Sequence, residues 1–307
     1  MSRRRTATVT YDFGSGKRES HDATPFYDRF ATPTVSGEET VQPPVVRDRL
    51  FVGDARDMGD DQVADHSVAL VATSPPYFAG KEYEADLASG RVPTSYAEYL
   101  GMLREVFAVC LRKLESGGRM AINIANLGRK PYRSLSADVI SILQDDLGML
   151  LRGEVIWQKA RGAGGSCAWG SYRSPVNPVL RDVTERVVIA SKGRFDRAIK
   201  RDLREQTGRP HEPTISTEEF LEGTIDVWEI PTESATRVGH PAPFPVALPR
   251  RLIELFTYRN DLVLDPFIGS GTTAVAAVET ERHFVGFDTD PGYIDLATRR
   301  VAEATGH

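Results

Sequence analysis

The sequence predicts a doubly wound α/β sheet, and three observations carry that prediction. Short apolar runs alternate with stretches of helical periodicity along most of the chain. Val68-Ala-Leu-Val-Ala-Thr73 shows no polar alternation before it meets Ser74-Pro75-Pro76-Tyr77, so it reads as a strand buried on both faces. Leu262-Val-Leu-Asp265 is a second such run, which passes through Pro266-Phe267-Ile268-Gly269-Ser270-Gly271-Thr272 into a helical run from Thr273 to Thr280.

The remaining elements follow in order. Residues 1–45 are polar and basic at their start, which predicts a flexible arm. No apolar core follows Arg3-Arg4-Arg5, so an export signal is not expected. Leu50 to Asp54 is a strand. Phe78 to Pro93, after the first buried strand, is a polar loop suited to a mobile lid. From Ser95 to Leu114 the apolar residues Tyr99, Met102, Leu103, Val106, Phe107, Cys110, Leu111 and Leu114 recur at helical spacing, and Gly117-Gly118 ends the helix. Met120 to Ile124 is a strand, Leu135 to Leu147 a helix ended by Gly148, and Leu151 to Trp157 and Thr184 to Ala190 are strands. Val246 to Tyr258 is a helix, His283 to Asp288 a strand ending in an acid, and Pro291 to Glu303 the closing helix.

Composition narrows the class. The chain has 307 residues, 40% hydrophobic and 26% charged, enough for a sizeable core. Two cysteines, Cys110 and Cys167, give neither a disulfide framework nor metal-ligand spacing, which fits a reducing cytoplasm and no bound metal. No apolar segment approaches the length of a membrane span. The formal charge of −5 means that any polyanion must be met by local basic patches.

Two stretches supply such patches. Lys159 to Arg173 carries Lys159, Arg161 and Arg173 among glycines, interleaved with Trp169 and Tyr172, a composition that suits ordering against a nucleic acid. The stretch from Lys192 to Arg209 includes Arg194, Arg197, Lys200 and Arg201, diluted by Asp196, Asp202 and Glu205.

The chemistry-bearing motifs lie at the two buried strand ends. Two successive prolines cannot continue a ladder, because neither offers an N–H, so the chain must stop there and present rigid carbonyls beside a hydroxyl and an aromatic ring. In an open α/β sheet, ligands sit just beyond the carboxyl ends of the strands. The Gly-Ser-Gly loop permits close backbone approach at a strand-to-helix turn, and it lacks the Lys of a triphosphate-binding loop. Asp288 follows that loop by about twenty residues, a spacing that suits an acceptor for ribose hydroxyls.

Taken together, Ser74-Pro-Pro-Tyr77 and Asp265-Pro-Phe-Ile-Gly-Ser-Gly-Thr272 resemble the motifs of the amino-methylating DNA methyltransferases. The catalytic motif comes first and the cofactor loop last, which is similar to the β-class order. The resemblance covers about Arg47 to Arg300. It implies a circularly permuted, Rossmann-like methyltransferase sheet with a small DNA-recognition insert. It divides the chain into a catalytic half at 46–192, a target-recognition region at 193–238 and a cofactor half at 239–307.

The resemblance also implies S-adenosyl-L-methionine as cofactor, S-adenosylhomocysteine as product, and duplex DNA as partner. A cognate restriction endonuclease and a monomer or homodimer would accompany these. Ser74, Pro75, Pro76 and Tyr77 become the catalytic candidates. Thr73, Asp265, Pro266, Phe267, Gly269, Ser270, Gly271, Thr272, Thr273 and Asp288 become cofactor candidates, together with His240, Pro243 and Phe244 in the proline-rich entry to a helix. Family members often have Glu where this chain has the shorter Asp288. Asp54 either accepts from the adenine amine of the cofactor or, with Asp57, caps the short helix that follows it. Cys167 is not preceded by Pro, so the nucleophile pattern of ring-carbon cytosine methyltransferases is missing. Ser at position 74 resembles the cytosine-N4 enzymes, whereas adenine-N6 enzymes usually carry Asp or Asn.

Overall fold

A computed structural model describes residues 34–76, 93, 95–126, 132–159, 170–180, 183–232 and 244–306. The expectations for the N-terminal arm before Thr34, for the lid, and for Tyr77, Arg161, Cys167, Trp169, His240 and Pro243 fall outside the described residues.

The described elements are β1 (Arg49–Val52), β2 (Val68–Thr73), α1 (Tyr96–Lys113), β3 (Leu114–Ile124), α2 (Leu135–Ser141), β4 (Leu150–Gln158), β5 (Thr184–Ser191), α3 (Arg201–Gln206), α4 (Thr217–Gly223), β6 (Val227–Glu229), α5 (Ala247–Phe256), β7 (Leu262–Asp265), α6 (Thr272–Glu279), β8 (His283–Asp288) and α7 (Pro291–Thr305). They build one eight-stranded sheet in the order β1-β8-β7-β2-β3-β5-β4-β6. Strands β1, β8, β7, β2 and β3 are mutually parallel, and β5 pairs antiparallel with both β3 and β4.

Period-2 alternation divides the sheet's side chains between two cores. Val71, Met120, Ile122, Leu262, Leu264, Val285 and Phe287 face one side, where Leu103, Phe107 and Cys110 of α1 cover them. Leu70, Ala72, Ala121, Val263 and Phe284 face the other, against Leu248 and Leu252 of α5 and Ala274 and Ala277 of α6. A sheet covered on both faces accounts for strands written as unbroken apolar runs.

Three boundaries differ from the sequence reading. Strand β3 begins at Leu114, straight after α1, and Gly117 takes φ +76° within it. Gly117 therefore lies in a strand and is not the helix stop. A side chain at Gly117 would meet the Asp196 carbonyl at 1.9 Å, so the glycine admits a close crossing of backbones. Helix α2 stops at Ser141 and a π-turn carries the chain on through Asp146. The three-residue β6 has no apolar pattern of its own and forms by adding to the edge of β4.

Candidate active site

The two motif-bearing strands are neighbours. Leu70 pairs with Val263 and Val71 with Leu264 in parallel, so the chain leaves β2 and β7 at the same pole of the sheet. The strand order also reverses here: from β7 the chain winds outward to β8 on one side, and from β2 to β3 on the other. That is the crevice in which open α/β sheets hold ligands.

Asp265 joins the two ends. It is 1% exposed. Its Oδ1 accepts from Thr73 Oγ1 at 2.5 Å and from Phe267 N at 3.0 Å, and its Oδ2 accepts from Thr273 Oγ1 at 2.7 Å. Thr273 Oγ1 also lies 3.3 Å from the Ala72 carbonyl. One buried carboxylate thus ties the last residue of β2 to the loop and helix after β7. Burial raises its pKa to about 6, against the lowering by the hydroxyl and backbone donors.

The glycine loop is held on both sides. Gly269 and Gly271 have φ of +47° and +82°. A side chain at Gly271 would strike Ala297 Cβ at 2.7 Å, so α7 can seat directly on the turn. Arg300 Nη1 donates to the Ser270 carbonyl at 2.7 Å and to Thr272 Oγ1 at 3.1 Å. Gly269 N donates to Asp288 Oδ2 at 3.0 Å, and Asp290 N to Asp288 Oδ1 at 2.9 Å. Asp288 is half-buried, and burial raises its pKa. A carboxylate offers about four lone-pair sites, which leaves capacity for hydroxyl donors such as those of a ribose. Pro266 is buried, Phe267 packs on the α1 side of the sheet and Phe244 on the α5 side.

Asp54 lies at the same pole, because Val52 pairs with Asp288. Its carboxylate accepts from Arg56 N at 2.9 Å and holds the Arg56 guanidinium at 2.6 Å. Asp54 thus caps the short helical turn that follows it.

Ser74, Pro75 and Pro76 follow β2 directly into the crevice. Ser74 Oγ lies 3.3 Å from the Asn123 carbonyl at the end of β3. Tyr99, 2% exposed on α1, donates its hydroxyl to the Pro76 carbonyl at 2.8 Å. Sequence reasoning assigned Tyr99 to the core by its spacing; only the fold puts its hydroxyl under the Pro-Pro turn.

The basic candidates separate into two groups. Lys159, Tyr172 and Arg173 belong to the connection from the end of β4 to the start of β5, at the same pole as Ser74. Tyr172 is 71% exposed, Arg173 is exposed, and a Gly170–Pro178 bridge closes their loop. Lys159 Nζ, however, is engaged by Glu185.

Arg197 is a correction, and Arg194, Lys200 and Arg201 lie on the same segment. Ser191 pairs with Arg119, which in turn pairs with Leu70, so the chain leaves β5 toward the amino ends of β2 and β3, away from Ser74. Arg197 is only 8% exposed and is committed to Glu115 at 2.6 Å and Asp261 at 2.5 Å. Arg194 pairs with Asp196 and Glu39. Arg194 and Arg197 brace the opposite end of the sheet, while Lys200 and Arg201 are exposed.

Among the described residues, no group of three or more His, Cys, Asp or Glu is arranged to hold a metal ion, and no helix is long and apolar enough to cross a membrane.

Comparison with known proteins agrees with this geometry. Residues 68–299 match the DNA methylase family of N6 and N4 methyltransferases. The chain is 29% identical over 304 residues to the type II methyltransferase M.BglI of Bacillus subtilis, covering 81% of this chain and 84% of that protein. It is 24% identical to the DNA adenine methyltransferase YhdJ of Escherichia coli K12, covering 80% and 79%. A Thermus thermophilus protein described as a DNA modification methylase, solved in complex with S-adenosyl-L-methionine, superposes with a TM-score of 0.61 at 28% identity, covering 83% of this chain and 93% of that one. The cytosine-N4-specific PvuII DNA methyltransferase shares the fold with a TM-score of 0.63 at 20% identity, over 86% and 93% of the two chains. The chain belongs to the DNA methylase family, as a β-class amino-methyltransferase of DNA that uses S-adenosyl-L-methionine.

Proposed function

We propose that this chain methylates the exocyclic N4 of cytosine at a specific sequence in duplex DNA, as the modification partner of a restriction endonuclease or as an epigenetic mark. The observation that carries the reading is Ser74 at the head of Pro75-Pro76, next to the strand whose Asp265 braces the cofactor loop. Asp or Asn would be usual at that position for adenine. Adenine N6 is the second reading, favoured by the likeness to an adenine methyltransferase of Escherichia coli.

S-adenosyl-L-methionine supplies an electrophilic methyl group when bound. The loop Asp265 to Thr273 and Asp288 would hold it, and Phe244 and Phe267 would wall the crevice. The amine of a base is a poor nucleophile, because its lone pair is delocalised into the ring. Ser74 and Pro75 would accept from its hydrogens and draw the nitrogen toward tetrahedral geometry, stabilising the charge that would develop there, and the proton the amine gives up would pass to solvent. The prolines keep these acceptors rigid. Aligning two bound reactants in this way lowers the barrier by roughly 7–11 kcal/mol. No covalent intermediate on the protein is required.

In a duplex the amine is hidden, so the base must be flipped out at a cost of a few kcal/mol. Tyr77 would stack on the flipped base. Arg161, Trp169, Tyr172 and Arg173 would hold the DNA around it. We propose a cytoplasmic monomer or homodimer as the working form.

Tyr99 acts here by positioning. Tyr99→Phe removes the hydroxyl that holds the Pro76 carbonyl. It is expected to lower kcat about tenfold, roughly 1.4 kcal/mol, with cofactor affinity unchanged. Steady-state kinetics and calorimetry check this.

Methylation of genomic DNA by the purified chain, followed by nucleoside mass spectrometry and methylation-aware sequencing, tests the function. N4-methylcytosine at one sequence is the expected product. N6-methyladenine overturns the choice of base, and label found only in RNA or protein overturns the choice of substrate.

A further inference from the structure

Four adjacent strands turn from apolar to polar at the same level of one face. On β2 the row Leu70-Ala72 ends in Ser74, and on β3 Ala121 is followed by Asn123. On β5 Glu185 precedes Val187 and Ile189, and on β4 Val155-Trp157 ends in Lys159. Asn123 is 3% exposed and Glu185 6% exposed. A carboxylate so deeply buried is costly unless it is paired and hydrogen-bonded. Here it is both. Asn123 Nδ2 donates to Glu185 Oε2 at 2.5 Å, and Lys159 Nζ meets Glu185 Oε1. Asn123 Nδ2 also lies 3.4 Å from Ser74 Oγ, while the Ser74 hydroxyl points to the Asn123 carbonyl at 3.3 Å. The Lys159 ammonium stands 5.6 Å from the Trp157 ring centroid.

We infer that Glu185 is a positioning residue which, through Asn123, fixes the sense of the Ser74 hydroxyl so that it offers the base a hydrogen-bond acceptor. An amide nitrogen carries no lone pair able to take a proton, so this chain of groups holds geometry and does not relay protons. Asn123 is turned by the Glu185 carboxylate, so that its N–H groups face β5 and Ser74. The Ser74 hydrogen is then committed to the backbone of β3, so that Oγ meets a base as an acceptor and not as a donor. Ser74 Oγ and the Pro75 carbonyl together present two acceptors, which suits a base bearing an amino group. A base with a carbonyl at that edge meets only acceptors and is rejected. Lys159 anchors the far oxygen of Glu185, so its sequence-predicted role on DNA gives way to one inside the site. The inference depends on Ser74 being the acceptor for the amine and is indifferent to which amino base is methylated.

The test is a double-mutant cycle on the full chain with wild type, Ser74→Ala, Glu185→Gln and the double variant. It scores total methyl groups transferred to duplex DNA and, separately, cofactor affinity by calorimetry. Glu185→Gln alone is expected to lower kcat on the order of tenfold or more, since small displacements of a positioning group carry losses of that size. Cofactor affinity should stay within about twofold. In the Ser74→Ala background the same change should cost nothing further, because the residue it acts through is already gone. Independent, multiplicative losses would overturn the inference, as would a loss confined to cofactor affinity. If Glu185→Gln does not fold, Asn123→Ser cuts the same link while leaving the Lys159 pair intact, and the same non-additivity is required of it. A wild-type chain that binds cofactor but methylates no DNA overturns the functional reading and this inference with it. An active wild type with an additive cycle overturns the inference alone.

Discussion

Asp265→Ala is expected to lose methyl transfer and to weaken cofactor binding by at least about tenfold, with a loss of stability of about 2–5 kcal/mol. The change removes the acceptor for Thr73, Thr273 and the Phe267 N–H together, and the two threonine hydroxyls are buried. Both the end of β2 and the glycine loop are then free to shift. Cofactor affinity and turnover measured above the variant's folding threshold check the expectation; wild-type values for both would mean that the loop is held by Arg300 and Asp288 alone.

Asp265→Asn isolates the charge. Burial lifts the Asp265 pKa from 3.8 to about 6. Between those values the folded chain holds the proton and the unfolded chain does not, so this group favours folding at the acidic end of the window. That contribution is lost as pH rises, and above about 6 the full cost of burying the charge is present. Asn carries no such cost. The melting temperature of Asp265→Asn relative to wild type should therefore climb from pH 5 to pH 7, and a difference that is flat or falling over that range would contradict the account.

Arg197→Ala is expected to cost about 3–5 kcal/mol of stability, because it leaves the buried carboxylates of Glu115 and Asp261 short of a cation. Arg204 still pairs with Glu115 at 2.6 Å, so Asp261 bears most of the loss. The same variant should bind DNA with unchanged affinity and an unchanged salt slope where it remains folded. A phosphate contact would instead reduce that slope by about 1. Urea unfolding and a salt titration of DNA binding separate the two outcomes.

These two residues mark how far the sequence could be read. Asp265 was legible because it ends an unbroken apolar run and stands before a glycine turn, both features of neighbouring residues. Its role was less so: the partner Thr73 lies 192 positions away, and only the pairing of β2 with β7 makes the carboxylate a brace. Arg197 misled because its local setting, a run of basic residues after a strand, is the same for a solvated face, a DNA contact or a buried ion pair. Its partners are 82 and 64 positions distant. The Glu185 partner of Lys159 and the Pro76 partner of Tyr99 were hidden for the same reason. The inner strands β2, β7 and β8 were read well because burial on both faces is written into each of them, whereas β6 has three residues and takes its structure from the edge it joins.

Hydrogen exchange of the full chain with and without S-adenosyl-L-methionine bears most directly on the claim that the two strand ends form one cleft. The account predicts that the cofactor slows exchange both in 70–76 and in 262–275, and leaves 192–204 at the far pole unchanged. Protection of the glycine loop with no change in 70–76, or protection centred on 192–204, would contradict it.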